Sequence, residues 1–545
     1  MSKKAFTLIE LLAVILILGI IALIAIPVVN NIIYQSRKMA FKETIGGVVN
    51  SIANKCNTET LTNKWNTSYL TIDNGSFSSG YDIGISGKLP DSASAYIGDE
   101  CKVAIVASDS KFCAIKDYDE DVATVTTYDK DTCILDDNTI TTAESCFVFN
   151  ESTNTITGYN FSNSNCGTNV TIPEAINNIP VYYIEANSFN GTSQTKKIEY
   201  VNFSKAVHLK DIRSATTQDE GAFANNEIVG VSFGNLKELD SIGNFAFYNN
   251  RITEVTLPEG LTKLYSTVFG NNYISSVKFP TTIKTIGNWS FRDNQLSKVT
   301  IPESVTSIED GAFYNNVISS ANIPQNITDL KSFIFAYNQL QTINIPASTT
   351  SIGNYAFVDN SINNINIPST VTYIGDSAFE NNFLSSVSLP NVLTNIGSWA
   401  FKNNSLSSIN LSNAINFLGM GAFYNNNLTS VTLPTGISEI YGWTFDSNNL
   451  SNIIIPNNIV TIGNYAFAAN KFDTLTLGTG LTTIGNLAFT DNNLQELYIP
   501  NNVVSIASDA FNNSHLYLTF NIDKVIDGIL YSPWGAGYSK VNWLK

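Results

Sequence analysis

Phenylalanine recurs every 22 residues thirteen times in succession, from Phe247, Phe269 and Phe291 through to Phe489 and Phe511. Phe223 and Phe189 extend the series upstream at wider spacing. Around each Phe runs the pattern "IPxxVTxIGxxAFxxNxLxxVxLP". Ile or Leu stands five residues before it, an apolar residue such as Ile252, Leu296 or Leu428 five after, and another such as Leu257, Ile345 or Leu433 ten after. A strict period with apolar residues at fixed phases means coils stacked on one another, because no coil can bury its own apolar face. The stretch "LxxVxL" predicts one short strand per coil, and successive strands a parallel sheet with ~4.8 Å spacing. Fourteen coils from Phe223 to Phe511 would then span ~65 Å.

The residue three after Phe is Asn in 13 of those 14 coils, from Asn226 to Asn492, with Ser514 the exception. A turn must satisfy its backbone groups once per coil, and a stacked carboxamide can bond its own turn and its neighbour's. The stripe reads as structural rather than ligand-binding, because every coil needs it and a ligand would not. Together with the opening stretch "VTIPEAINNIPVYYIEANSF" and the ending "SPWGAGYSKVNW", the pattern resembles the leucine-rich repeats of BspA-like bacterial surface proteins. The resemblance implies a solenoid over 146–515 and a C-terminal cap over 516–545. Many members of that group serve attachment, which implies an unknown protein or glycan ligand for the repeats.

The other end of the chain is of a different kind. From Phe6 to Val29, Glu10 is the only ionisable side chain in 24 residues. At ~1.5 Å per residue such a helix spans ~36 Å, enough to cross a bilayer. Lys3 and Lys4 precede it, which favours a cytoplasmic N-terminus and an exported remainder. A secretory signal peptide would want a small-x-small cleavage site, and "AIPVVNN" is a poor one. An ordinary signal anchor accounts for everything except Glu10, since a carboxylate in lipid costs a few kcal/mol and needs a reason.

The run "KKA-FTLIELL" supplies the reason, because it resembles the class III signal of type IV prepilins and pseudopilins. The resemblance implies that a prepilin peptidase removes residues 1–5 by cutting between Ala5 and Phe6, and that Phe6 is then N-methylated. It implies that Glu10 pairs with the terminal amine of a neighbouring pilin subunit during assembly. Gly19 and Pro27 fall where the family's helix bends or melts, and Pro removes a helical hydrogen bond. The family usually has Gly where this chain has Ala5. The implied fold is a long transmembrane and spine helix over 6–57 and a small α+β pilin-like head over 58–145. Beyond the membrane, Ile32, Ile33, Ala40, Phe41, Ile45, Val48, Val49 and Ile52 keep near-helical spacing, with Gly46-Gly47 a weak point.

All six cysteines, Cys56, Cys101, Cys113, Cys133, Cys146 and Cys166, lie upstream of the regular repeats. In an exported protein an even, clustered set reads as up to three disulfides, whose pairing the sequence leaves open. Zinc is disfavoured, since no C-x-x-C occurs and neither His208 nor His515 is near. Between the cysteines, "KVAIVAS", "KFCAIKDY", "ATVTTY" and "TCILDD" read as short strands, with loops before them. "DYDEDV" begins like a calcium loop, but the Gly and distal Glu that such a loop requires are absent, so a solvated hairpin is favoured. "SDSK" matches a catalytic S-x-x-K by letter only.

Two repeat surfaces could bind. Outward sheet positions seven and nine after Phe are mostly small and polar, as in Ser386 and Ser388. The position two before Phe holds Trp289, Trp399 and Trp443 with Phe245, Phe333, Tyr355 and Tyr465. Aromatics there are natural platforms for sugars or proteins, though repeats also place such rings in register for stacking alone, which is favoured. The net charge of -16 excludes a basic stripe and argues against nucleic acid. No H-E-x-x-H, G-x-S-x-G or P-loop occurs, so no enzyme, cofactor or metal is expected. The leading expectation is a minor or tip subunit of a type IV pilus, membrane-anchored before assembly and then on the cell surface, bearing a repeat domain for adhesion. The alternatives are a pseudopilin of a type II secretion or DNA-uptake machine, or a plain membrane-anchored surface protein.

Overall fold

In a computed structural model the described residues are 36–57, 69–73, 76–77, 89–90, 92–97, 103–108, 112–116, 123–127, 142–163, 166–507, 509–512, 517–521 and 541–544. Two units divide the chain: residues 1–142 with 167–169, and 143–166 with 170–545.

In the first unit residues 36–57 form a helix, α1. Phe41, Ile45, Val48, Val49, Ile52 and Cys56 are its buried face, spaced by threes and fours. Ala40 is exposed, and Ile32 and Ile33 lie outside the described residues. The helix runs unbroken through Gly46-Gly47. Each Gly costs about 1 kcal/mol there, and burial of Ile45, Val48 and Val49 on either side offsets it. The strands are β1 (Tyr69–Asp73), β2 (Ser76–Phe77), β3 (Ser92–Ile97), β4 (Val103–Ser108), β5 (Phe112–Lys116) and β6 (Thr124–Thr127). They form one antiparallel sheet in the order β2-β1-β3-β4-β5-β6. Alternate residues such as Val103, Ile105 and Ala107 join the helix face in one apolar cluster. The Phe41 and Phe112 rings stack with centroids 6.0 Å apart. Strands β1 to β3 fall where the sequence reads as loops: "SASAYI" alternates among residues too small and polar to stand out, and "YLTID" carries only two buried apolar residues, Leu70 and Ile72.

The second unit opens with an antiparallel hairpin, Phe147–Asn150 against Thr155–Tyr159. A disulfide between the buried Cys146 and Cys166, with Cα atoms 5.5 Å apart, fixes the ends of this segment. The second hairpin strand pairs in parallel with Tyr183–Ile184, and Phe147 and Tyr159 cover the exposed face of Phe189. The hairpin is therefore the cap a repeat stack requires.

From there the coils carry two parallel ladders, not the single one expected from "LxxVxL". The first lies at the Ile or Leu five before Phe, in three successive sheets: from Tyr183–Ile184 to Ser307–Ile308, from Asp329–Leu330 to Phe417–Leu418, and from Glu439–Ile440 to Ser505–Ile506. The second is the anticipated one, centred eight after Phe, as in Glu254–Thr256 with Ser276–Lys278. In the central coils it thins to isolated bridges, Asn344 to Asn366 to Ser388. Tyr517–Asn521 and Val541–Leu544 extend it in parallel beyond Glu496–Ile499. The residue before the buried Ile is only half-covered, so the first ladder shows no clean alternation of apolar and polar residues and is hard to read as a strand.

Between the ladders sits the Phe turn. From Phe189 to Phe511 the rings form an unbroken stack, centroids 4.6–6.2 Å apart and planes within 15°. Each Asn carboxamide donates to the Phe carbonyl of the preceding coil at 2.8–3.0 Å and to that of its own coil at 3.0–3.3 Å. Its oxygen accepts a backbone N–H of the preceding coil, as Asn382 Oδ1 does from Ile362 at 2.9 Å. Asn382→Ala would leave the Ile362 N–H buried and unpaired, and would leave the Phe357 carbonyl only its longer bond, from Asn360 at 3.3 Å. We expect a loss of about 2 kcal/mol in urea unfolding, with amide exchange at Ile362 accelerated before that of distant coils.

Candidate ligand-binding surface

The Phe turn places two residues per coil in the left-handed region. The residue two before Phe has φ between 51° and 61° from Phe245 to Leu487, and the residue two after has φ between 49° and 59° from Asn225 to Asp491. Both geometries aim backbone N–H groups at the next coil: Tyr355, Phe357 and Asp359 donate to Asp376, Ala378 and Glu380 at 2.7, 2.9 and 3.0 Å. An L-residue in this conformation costs roughly 1–2 kcal/mol, least for Gly, Asn and Asp.

The two columns meet that cost differently. The column after Phe is mostly Asn or Asp, and its side chains bond along the stack, as Asn403 to Asn381 at 2.7 Å and Asn425 to Asn403 at 2.9 Å. From Phe245 to Leu487 the column before Phe contains no Asn and carries seven aromatics: Phe245, Trp289, Phe333, Tyr355, Trp399, Trp443 and Tyr465. In the turns of Phe333 and Trp399 the N–H just before the ring residue is paired by an Asp one coil back: Asp310 Oδ1 accepts from the Ser332 N–H at 2.9 Å and Asp376 Oδ1 from the Ser398 N–H at 2.7 Å.

The aromatic column forms two clusters. Trp289 lies over Gly311, where an added Cβ would come within 2.1 Å of the indole. It reaches Phe333, two coils on, at 5.7 Å, and Phe333 stacks on Tyr355 at 4.6 Å. Trp399 lies in the same way over Gly421, reaches Trp443 at 6.3 Å, and Trp443 stacks on Tyr465 at 5.3 Å. The small residues of the column are covered: Ser377, between the clusters, is buried. Trp289 and Trp399 each also have a Tyr edge-on, Tyr314 at 5.3 Å and Tyr424 at 5.8 Å. Tyr337, from the column after Phe, joins the first cluster against Tyr314. The rings are packed yet not sealed, since Tyr355 is 37% and Tyr337 44% exposed. Lys402 stands over the Trp399 ring at 5.0 Å and pairs with Glu380 at 2.8 Å.

The clusters are copies at five-coil distance. Trp289 and Trp399, Gly311 and Gly421, Tyr314 and Tyr424, Phe333 and Trp443, Tyr355 and Tyr465 each stand 110 residues apart, and "GAFYNN" and "IGNYAF" recur at the same offset. The 22-residue period masks this longer one. Sequence reasoning also misses the left-handed backbone and the Tyr partners, for which the shared "GAFYNN" is the one signal.

Of the other candidate residues, Ala5, Phe6, Glu10, Gly19 and Pro27 lie outside the described residues, as do Cys101, Cys133, "DYDEDV" and "TCILDD". Cys56 and Cys113 are disulfide-bonded. Among the described residues no helix is long and apolar enough to cross a membrane, and no cluster of His, Cys, Asp or Glu could hold a metal ion. His208 sits between Glu174 and Glu238 at 3.4 and 3.8 Å, on the early coils.

Parallel coils of fixed length, closed by a capping hairpin and carrying a surface of repeated side chains, define a leucine-rich-repeat solenoid. The model for the BspA type leucine-rich repeat region matches residues 141–240, 216–340, 328–448 and 400–518, and the chain belongs to that family. The prokaryotic N-terminal methylation motif matches residues 1–26. Among solved structures, a leucine-rich repeat protein from Bacteroides ovatus is 17% identical, covering 69% of this chain and 92% of its own, with TM-score 0.39. A leucine-rich cell surface protein from Faecalibacterium prausnitzii is 19% identical, covering 73% and 93%, with TM-score 0.30. The pneumococcal vaccine antigen PcpA is 16% identical, covering 69% and 83%, with TM-score 0.36. No curated protein matches the chain.

One titratable group is built into the second cluster's turn. Burial pushes the Asp446 carboxyl up to about 6, against a hydroxyl of Ser447 that donates to it at 2.9 Å and favours the charged form. A raised carboxyl binds its proton more tightly folded than unfolded, so stability is greatest below pH ~4 and is lost as pH rises through about 6. Asp446→Asn should raise the thermal midpoint by about 2 °C at pH 7.5 and leave it unchanged at pH 4.

Proposed function

We propose that this protein is a minor, type IV pilin-like subunit whose solenoid is an extracellular binding domain. The observation that carries the reading is the methylation motif at residues 1–26 on the same chain as the repeats. The helix α1 packed on an antiparallel sheet supports it, since an amphipathic spine under a small sheet is what a pilin head needs. Prepilin peptidase is the processing partner, cutting between Ala5 and Phe6, and other pilin subunits are the assembly partners. Glu10 then faces the amine of a neighbouring subunit, a pairing that makes a carboxylate tolerable in lipid. Before assembly the segment from Phe6 to Val29 anchors the chain in the membrane, and the repeats lie outside the cell. A solenoid on every subunit would crowd a filament, so a low-copy or tip position follows.

The test is maturation and assembly. The mature chain should begin at an N-methylated Phe6 by mass spectrometry. Glu10→Leu should insert into the membrane at least as well as the native chain, yet be absent from sheared pili. A retained leader, or normal incorporation of Glu10→Leu, would overturn the reading. Loss of secretion or DNA uptake without loss of attachment would assign the chain to a pseudopilin machine instead.

A further inference from the structure

The two columns of left-handed residues provide a comparison internal to the molecule. They share one turn and nearly one φ, so they carry the same backbone cost. One is mostly the Asn and Asp that reduce it, whereas seven of the other's twelve positions from Phe245 to Leu487 are Trp, Tyr or Phe, which do not. Ring stacking returns about 0.5–1.5 kcal/mol per pair, comparable with the strain and no better than an Asn column would give without it. Backbone strain held at a partly exposed surface points to use of that surface. The five-coil duplication strengthens the point, because stacking alone asks for no such interval: Trp, Gly and Tyr partners recur together, while Ser377 interrupts the column between them.

The charge pattern selects the ligand class. Between Ser332 and Ser438 only Asp359, Asp376, Glu380 and Lys402 are charged, and Glu380 and Lys402 pair with each other. This segment links the two clusters, so a ligand running from one to the other crosses rings, amides and hydroxyls and almost no field. Anionic polymers need cationic partners, and the cation at each Trp end is already beside an acid: Arg292 is 3.7 Å from Asp293 and Lys402 is 2.8 Å from Glu380. Neutral sugars present CH faces for rings and hydroxyls for amides. Five coils at ~4.8 Å separate the clusters by roughly 24 Å, which suits a chain of identical units rather than a single small molecule.

We propose that the Trp289–Tyr355 and Trp399–Tyr465 clusters are twin subsites for a neutral, repeating polysaccharide. The proposal rests on the binding-domain reading above and specifies the ligand class. Two linked subsites bind one polymer more tightly than either alone, commonly by 10²-fold or more.

The test uses the full chain in detergent, run in native gels containing xyloglucan, galactomannan or mixed-linkage β-glucan, with alginate and hyaluronan as anionic controls. At least one neutral polymer should retard the protein, and neither anionic polymer should. Tyr355→Asn and Trp443→Asn place at each site a residue suited to φ near 58°, so the thermal midpoint should not fall. Each should weaken apparent affinity at least tenfold, the pair together should abolish retardation, and Trp443→Phe should retain it. Retardation by no neutral polymer, equal retardation by the anionic ones, or unchanged binding by the folded double variant would overturn the proposal. If the double variant also attaches normally to surfaces in cells where attachment depends on this protein, the aromatic subsites fail while the binding-domain reading stands.

Discussion

The Asn carboxamide that joins consecutive Phe turns sets the terms for the rest of the solenoid. A turn with two left-handed residues aims three N–H groups at the next coil, and leaves the Phe carbonyl and a later N–H facing inward. Buried and unpaired, such groups would each cost on the order of 1–3 kcal/mol. Asn alone among short side chains offers both a donor and an acceptor at fixed separation, so one residue satisfies its own coil and the one before. The Phe stack and the two strand ladders can persist from coil to coil only because this joint repeats. The same joint makes each coil incomplete alone. That is why the array begins with a disulfide-fixed hairpin against Phe189 and continues past the last full coil with Tyr517–Asn521 and Val541–Leu544.

Repetition also limits where specificity can reside. Positions that face the neighbouring coil are fixed by packing, and Gly243 or Gly397 has no room for a Cβ against the backbone before it. The freedom left to the chain lies in columns that meet solvent. One of these, two before Phe, departs from what its backbone prefers, and it departs twice in the same way at a five-coil interval. Strain that recurs with its accompanying Gly and Tyr partners is information of a kind the apolar periodicity cannot carry.

The sequence shows the coil length, the Phe stack, the Asn ladder and the second strand ladder, because each is a fixed residue type at a fixed phase. It hides the first ladder, whose "SIG" or "TIG" lacks alternation, and strand β3, whose Ala and Ser residues carry little apolar contrast. It also hides the left-handed conformation at Trp289, Tyr355 and Trp443. Gly or Asn announces positive φ in a sequence, whereas an aromatic does not. The aromatic positions themselves are legible, but their grouping into two clusters is not, since grouping depends on which ring leans over which glycine.

A solenoid held by amide ladders and stacked rings behaves differently from one held by ion pairs. Most of the described solenoid's ion pairs fall in the early coils, as in Arg213 with Glu185 and Arg251 with Glu227, and Lys402 with Glu380 stands apart from them. Salt screens exposed charges over about 10 Å at 0.1 M but leaves buried amide bonds and apolar contacts intact, so the central coils should keep their geometry across a wide range of ionic strength. The same neutrality removes long-range steering, and association then proceeds at the slower rate of unsteered encounters. A surface of this kind gains retention from the number of contacts rather than from the speed of the first one. On the proposed reading, duplicated clusters supply that multiplicity within one chain, and assembly into a filament would add further copies.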